Sequence, residues 1–384
     1  MLSHTSTAKT LTTLTMAIPS TTVSINEIIV EAKKIFVDGQ EVNQDLIRKI
    51  HKDPSIQSKF RPLDHDGDFL QFKDPDFPNY NANRIAETNF IAAAGPKSPR
   101  IIDFFKNTVF HPTLDIHEII AIGSTLGSQY SNRRDLDFCD YMISMYPDSD
   151  FNFFTNDSEQ IDITIDKCTG KYQRPEFSSR CFPESIIKSE LTIRLDKTEG
   201  SESKDTDKPQ IKKINVTLLP IPDGGSIKLA EMKSNDPYYE VLWNLYQKYL
   251  TQLIVVHCAA GVGRTGQLML TFELVKHHEE IAAIKDIDLK AKTILDILNR
   301  LRLNRPALVF TSTQLEHAIR SADALYQYGL KNGKFLTDKI TDQECVKAEF
   351  LPTSKILDSS PSDKAEVEDL EACKSKECRV CLRP

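Results

Sequence analysis

Apolar positions along this chain recur with two different periods, and the switching between them lays out its elements. From Ile25 to Val37 and from Gln44 to His51 they fall at the three-to-four spacing of short helices. The same spacing predicts helices over Ile101 to Val109, Tyr238 to Leu250, Gly263 to His278, Leu289 to Leu303 and Thr313 to Gly329. Strands are predicted over Ile85 to Ala94, Glu118 to Ile122 and the alternating run Ile161-Asp162-Ile163-Thr164-Ile165. Ser189 to Leu195 and Ile211 to Leu218 read as two arms of a hairpin, joined by the polar connection Asp196 to Pro209. Residues 53 to 80 read as loop, broken by Pro54, Pro62, Pro75 and Pro78. Strands mixed with helices predict an α/β domain with a mixed central sheet flanked by helices. No internal repeat is present.

One segment carries chemistry. The apolar run Ile254-Val255-Val256 ends in His257-Cys258. Ala259-Ala260-Gly261-Val262-Gly263 follows, and Arg264-Thr265-Gly266 opens the next helix. This is a strand, a phosphate-binding loop and a helix start, with a thiol at the mouth of the loop. A thiol attacks as the thiolate, which helix N-termini and cations favour. Backbone N–H groups of such a loop suit a phosphate equally well. Ala259 and Ala260 are small enough for the backbone to close around an anion. Gly261 and Gly263 permit turns that a side chain would obstruct. Arg264 offers a planar fork for two phosphate oxygens, which lysine lacks. Thr265 supplies a hydroxyl for the sulfur, and His257 is read as fixing the cysteine backbone, not as a base. An ordinary core cysteine before a turn is the competing reading. It does not account for an arginine six residues on, with two glycines between and threonine next. The chemistry indicated is attack of Cys258 on a phosphate ester.

His-Cys-x5-Arg-Thr-Gly resembles the signature of cysteine-dependent protein tyrosine phosphatases. Further landmarks come in that family's order. Phe90 to Pro96 is similar to its Tyr-Ile-Ala-x-Gln-Gly-Pro segment, and Asp103-Phe104-Phe105 to its Asp-Phe-Trp. Ile221-Pro222-Asp223-Gly224 is similar to its Trp-Pro-Asp loop, and Leu301 to Pro306 with Val309-Phe310-Thr311 and Gln314 to its downstream arginine segment. The resemblance spans about residues 77 to 325 and neither end. It implies a tyrosine-phosphatase-like fold with Cys258 as nucleophile and Arg264 as phosphoryl ligand. Asp223, thirty-five residues before the cysteine, would be the acid that protonates the leaving group. Gln314 would orient the hydrolytic water. Arg302 and Arg305 would be structural, pairing with acids behind the loop. No cofactor and no metal are implied, and His277-His278-Glu279-Glu280 reads as a polar helix face.

This sequence also departs from the family. Ile221 replaces the acid loop's tryptophan, and Ala94 replaces the glutamine before Gly-Pro. Lys59 to Asp64 stands where a tyrosine-bearing substrate loop is usual, with Phe60 as a candidate stacking face. Asp137 to Tyr141 only approximates the Lys-Cys-x-x-Tyr segment, so Cys139 reads as core. The expected activity is hydrolysis of phosphotyrosine in proteins. The alternatives are a phosphoinositide or dual-specificity phosphatase, and a catalytically weak phosphate-binding module. Lipid-acting members tend to carry lysines in the loop, and here its positions are small or apolar.

Composition adds boundaries. The chain's 384 residues, 40% hydrophobic and 27% charged, suffice for one large domain with tails. We place a Ser/Thr-rich disordered tail at 1–24, the catalytic domain at 25–330 and a polar tail at 331–384. A net charge of -7 gives no sign of nucleic acid as partner. The longest apolar runs are too short to span a membrane, so no stable insertion is expected. The 8 cysteines are irregularly spaced and give no disulfide framework. Cys373, Cys378 and Cys381 lack a fourth ligand for a metal knuckle, and the C-terminal four residues do not fit a prenylation box. A thiolate enzyme needs a reducing compartment, hence a cytoplasmic expectation. The alternative is secretion by a bacterium into a host cytosol, since the loop followed by Gln267-Leu268 resembles bacterial effector phosphatases. Nothing in the sequence fixes an oligomeric state.

Overall fold

Ser24 opens the first helix with a reciprocal cap: its hydroxyl accepts from the helix backbone, and Glu27 returns a hydrogen bond of 3.0 Å from the Ser24 N–H. A computed structural model of the chain describes residues 24–60, 70–96, 100–123, 153–155, 159–169, 172–173, 182–183, 186–197, 208–221 and 225–334. Both expected tails lie almost wholly outside these residues. Helix α1 (Ile25–Ile35) is followed by α2 (Gly39–Lys52), capped by Asp38 onto the Glu41 N–H at 2.8 Å.

The single strand expected over Ile85 to Ala94 is a hairpin instead, of β1 (Ala82–Ile85) and β2 (Phe90–Ala94). The turn is built from side-chain hydrogen bonds. Thr88 donates its hydroxyl to the Ile85 carbonyl at 2.8 Å and accepts from the Phe90 N–H at 3.1 Å, and Glu87 takes a left-handed φ of 61°. Helix α3 (Ile101–Asn107) and strand β3 (Glu118–Gly123) follow as expected. Then come β4 (Phe153–Thr155), β5 (Glu159–Thr169), the short pair β6 (Tyr172–Gln173) and β7 (Phe182–Pro183), β8 (Ile187–Lys197) and β9 (Gln210–Pro220). The predicted hairpin arms are β8 and β9, which pair antiparallel. Helix α4 (Pro237–Thr251), β10 (Ile254–Cys258), α5 (Gly263–Lys276), α6 (His278–Ala283), α7 (Ile287–Arg302) and α8 (Ser312–Lys331) complete the described chain.

The sheet has eight strands in the order β1-β2-β10-β3-β9-β8-β5-β4. Its centre is parallel: β10 lies between β2 and β3, and β3 pairs with β9. The outer strands run antiparallel. Every residue of β3 and β10 is buried, as covering by helices on both faces requires. One face packs with α1, α4, α5, α7 and α8, and takes Ile254, Val256 and Cys258 from β10. The other face takes Val255 and packs with α3 and the Phe77–Ala82 stretch. Period-two alternation therefore puts the Cys258 and His257 side chains on opposite faces of the sheet. At the start of β3 the buried Glu118 carboxylate is bonded by Thr217 and by Lys248 from α4, which ties that helix to the sheet. No helix among the described residues is long and apolar enough to cross a membrane.

Candidate active site

The loop from Cys258 to Thr265 joins the carboxyl end of the central strand β10 to the amino end of α5. Cys258 is 3% exposed and free. His257 is fully buried and its ring meets Phe104 edge-on at 5.6 Å, on the sheet face away from the thiol. Burial pushes its pKa down to about 4, outweighing a backbone hydrogen bond at Cys258 that acts the other way. The ring is thus neutral at pH 7 and placed to hold the strand end, as its sequence position suggests.

The loop's shape is set from behind. Gly261 has φ 67°, and a Cβ there would lie 2.1 Å from the Ala93 carbonyl oxygen. Arg305, with no exposed surface, donates to the carbonyls of Gly261 at 2.7 Å, Ala260 at 3.0 Å and Ala92 at 3.2 Å, and to Asn83 Oδ1 at 2.9 Å. The Ala259 carbonyl accepts from the Gly95 N–H at 2.9 Å. In a trans peptide the carbonyl and the next N–H point opposite ways. The N–H groups of Ala260, Gly261 and Val262 are therefore turned away from these anchors. Val262 closes the loop by accepting from Gly266 at 2.9 Å and from Val309 at 3.2 Å. Val309 itself holds φ 57°, a costly setting for a β-branched residue.

The two downstream arginines find main-chain carbonyls among the described residues. Arg302 donates to the carbonyls of Leu308, Val37 and Val309 at 2.8 to 2.9 Å, and Arg305 also works mainly on carbonyls. Buried main-chain oxygens near a tight loop need donors, and a guanidinium fork supplies several from one side chain.

Arg264, 3% exposed in the first turn of α5, donates from Nη1 to the Ile221 carbonyl at 3.0 Å. Residues 222–224, which include the expected acid Asp223, lie outside the described residues. Both flanks of that segment are anchored. Gln267, one turn after Arg264, accepts from the Ile227 N–H at 2.9 Å and donates to its carbonyl at 2.8 Å. Ser321 donates to the same carbonyl at 3.1 Å, and Gln314 Nε2 reaches the Gly225 carbonyl at 3.5 Å. Neither Gln267 nor Ser321 was expected from the sequence as an anchor. The signal for Gln267 was its i+3 relation to Arg264, which puts both on one helix face.

Gln314 lies against the loop: a Cβ on Gly263 would sit 2.9 Å from its Nε2. Its oxygen accepts from the Phe310 and Thr311 N–H groups at 2.9 and 3.3 Å, capping α8. Thr265 Oγ1 is buried beside the loop and makes no hydrogen bond among the described residues. Phe60 does not offer a stacking face. It is 5% exposed and stacked on Phe72 at 4.5 Å. Asp135, Asp137 and Cys139 lie outside the described residues. No group of three metal-ligating side chains occurs among the described residues.

Residues 227–323 match the sequence model of the protein-tyrosine phosphatase family. Over these residues the chain is similar to the protein-tyrosine phosphatases. The matched span includes the Cys258 loop, Arg302, Arg305 and Gln314, and begins four residues after Asp223. No match was found among curated proteins. Among solved structures, the chain is similar to the catalytic domain of human protein tyrosine phosphatase non-receptor type 18. Identity is 14% and the TM-score 0.48, over 79% of this chain and 98% of that one. It is also similar to the Trypanosoma cruzi tyrosine phosphatase TcPTP1, at 15% identity and TM-score 0.43 over 80% and 91% of the two chains. The Trypanosoma brucei enzyme TbPTP1 gives 14%, 0.44, 80% and 90%.

The phosphatase loop makes its own demand on Gly261. Gly261→Ala forces a left-handed residue with a side chain into the Ala93 carbonyl. We expect a loss of about 1–3 kcal/mol in denaturant unfolding, together with reduced turnover on an aryl phosphate. An unchanged unfolding midpoint would show that the loop tolerates a side chain there.

Proposed function

We propose that this domain hydrolyses phosphotyrosine in proteins through a cysteinyl-phosphate intermediate, with Cys258 as nucleophile and Asp223 as acid. The observation that carries the reading is the Arg264–Ile221 contact at 3.0 Å. One buried guanidinium touches both the loop that starts at the thiol and the residue two positions before Asp223. That contact supports an acid from this segment acting beside the thiol's loop.

In the first step the sulfur–phosphorus bond forms as the phosphorus–oxygen bond to the tyrosine ring breaks. The bonding pair goes to the phenolic oxygen, and Asp223 delivers a proton to it. Arg264 and the N–H groups of the loop hold the phosphoryl oxygens meanwhile. In the second step water attacks phosphorus, the aspartate takes its proton, and the thiolate leaves. Gln314 stands beside Gly263, where an amide can both donate to and accept from that water. We place the enzyme in a reducing compartment, because a thiolate is oxidised readily elsewhere.

The test is a substrate panel in the presence of a chelator: phosphotyrosine, phosphoserine and phosphothreonine peptides beside phosphoinositides. Phosphotyrosine peptides should be turned over fastest, and chelation should change nothing. A preference for phosphoinositides would move the substrate class.

Asp223→Asn tests the acid. Asparagine keeps the shape but cannot protonate the leaving group. Turnover on a phosphotyrosine peptide should fall by about a hundredfold or more. The loss should be much smaller on an aryl phosphate with a weakly basic leaving group. Equal losses on the two would place the acid elsewhere, with Asp135 and Asp137 next to test.

A further inference from the structure

The corner between α1 and α2 lies outside the stretch that resembles the phosphatases, yet its main chain reaches the support of the phosphate loop. The Gly39 N–H donates to the Phe310 carbonyl at 2.9 Å. Arg302 donates to the Val37 carbonyl in the same corner at 2.8 Å, while its other nitrogens take the Leu308 and Val309 carbonyls. The half-buried Phe36 lies under that guanidinium, its ring centroid 5.2 Å from Arg302 Cζ. Gly39 is buried and its φ is not left-handed, so space and not conformation excludes a side chain there. A Cβ would stand 2.5 Å from Phe310 Cδ2, 2.8 Å from the Ala307 carbonyl oxygen and 3.0 Å from Phe310 Cα.

The segment gripped by this corner is strained. Ala307 and Val309 take φ of 67° and 57°, settings that persist only where the surroundings impose them. On its other side the segment touches the phosphate loop. Val309 donates to the Val262 carbonyl at 3.2 Å, and a Cβ on Gly266 would run into the Val309 nitrogen. Residues 308–309 therefore have no slack against the first turn of α5. Val262 precedes that helix, whose start has no side-chain cap. Its carbonyl is held by Gly266 and Val309, so the Gly263 N–H, across the same trans peptide, points the other way, out of the helix end. That N–H is among those an anion at the loop would meet.

We propose that the α1–α2 corner, through Gly39 and Phe36, positions the phosphate loop: it keeps residues 307–310 in their left-handed course and so keeps Val262 and the neighbouring N–H groups aimed at the bound anion. The inference rests on the reading of the Cys258 loop as a phosphatase loop. Gly39 and Phe36 are positioning residues, acting through Phe310, Arg302 and Val309.

Three variants of the full chain test this. Gly39→Ala pushes on the main chain at Ala307 and Phe310, and Phe36→Ala loosens Arg302. Leu191→Ala, in β8 and buried on the other face of the sheet, is the control for lost stability. One readout is kcat and KM on an aryl phosphate. The other is the ratio of the rates at which iodoacetate and iodoacetamide alkylate Cys258, followed by mass spectrometry of the peptide that carries it. That ratio reports how well the loop holds a carboxylate beside the sulfur, and it needs no turnover. Gly39→Ala should lower kcat by about tenfold or more, the scale of a misplacement remote from the chemistry. KM should change less, and the alkylation ratio should fall. Phe36→Ala should move both readouts the same way by a smaller factor, and it decides the matter if Gly39→Ala does not fold. Leu191→Ala should lower the denaturant midpoint and leave kcat and the ratio in place. Unchanged kcat and ratio in the folded corner variants, or equal changes in Leu191→Ala, would overturn the proposal. A wild-type chain that prefers iodoacetate but turns over no phosphate ester would overturn the phosphatase reading alone, and the ratio would still decide the role of the corner.

Discussion

Cys258→Ser is expected to reduce turnover to background while leaving the fold and the affinity for a phosphate ester in place. Cys258 ends a strand in which every residue is buried, and the exchange replaces one sulfur by one smaller oxygen. Nothing in the anchoring of the loop involves its side chain. The Arg305, Gly95 and Val309 contacts all use backbone atoms of the loop. What disappears is the nucleophile, since a serine hydroxyl is not ionised near neutral pH. The ring of His257 is neutral and packed on the other face of the sheet. Isothermal titration with an unreactive phosphotyrosine analogue, beside a turnover assay, separates the two quantities. Activity above a small percentage of wild type would remove Cys258 from its role. Wild-type activity should also vanish with mild peroxide and return with a thiol reductant, as a reversible sulfenic acid requires.

Arg264→Lys is expected to be nearly as damaging as loss of the side chain, by about a hundredfold or more in turnover, the scale for removing a transition-state donor. The guanidinium has enough donors to keep the Ile221 carbonyl with one nitrogen and serve phosphoryl oxygens with others. A lysine ammonium is a point charge and cannot do both in a plane. Because the phosphoryl group flattens only in the transition state, kcat should fall more than KM rises. A lysine variant with near-normal kcat would make Arg264 a structural residue whose task is to hold residue 221.

The nucleophile loop was legible because its chemistry is local. Cys258, Arg264 and the glycines lie within nine residues, and each type has its own physical reason to be there. Helix positions were legible too, since caps and apolar spacing are written in the chain: Ser24 and Thr311 start helices where the periodicity begins, whereas Asp38 starts α2 at Gly39, five residues before the expected Gln44. The β1–β2 hairpin was missed because its turn depends on Thr88 bonding its own neighbours, amid residues that read as a continuous strand. The carbonyl partners of Arg302 and Arg305 went unread for a different reason. Main-chain carbonyls leave no mark in a sequence, whereas acids do. Phe60 was misplaced because its stacking partner, Phe72, is not next to it along the chain. The anchors at Gln267 and Ser321 depend on where Ile227 comes to rest, which only the fold decides.

Arg305 has a consequence for the energetics of catalysis. Water around a reacting phosphate must turn its dipoles as charge moves, and that turning is part of the barrier. Here the peptide dipoles at Ala260 and Gly261 are aligned by a buried permanent charge that no substrate has to bring. The protein acts as a solvent oriented in advance, with its reorganisation completed during folding.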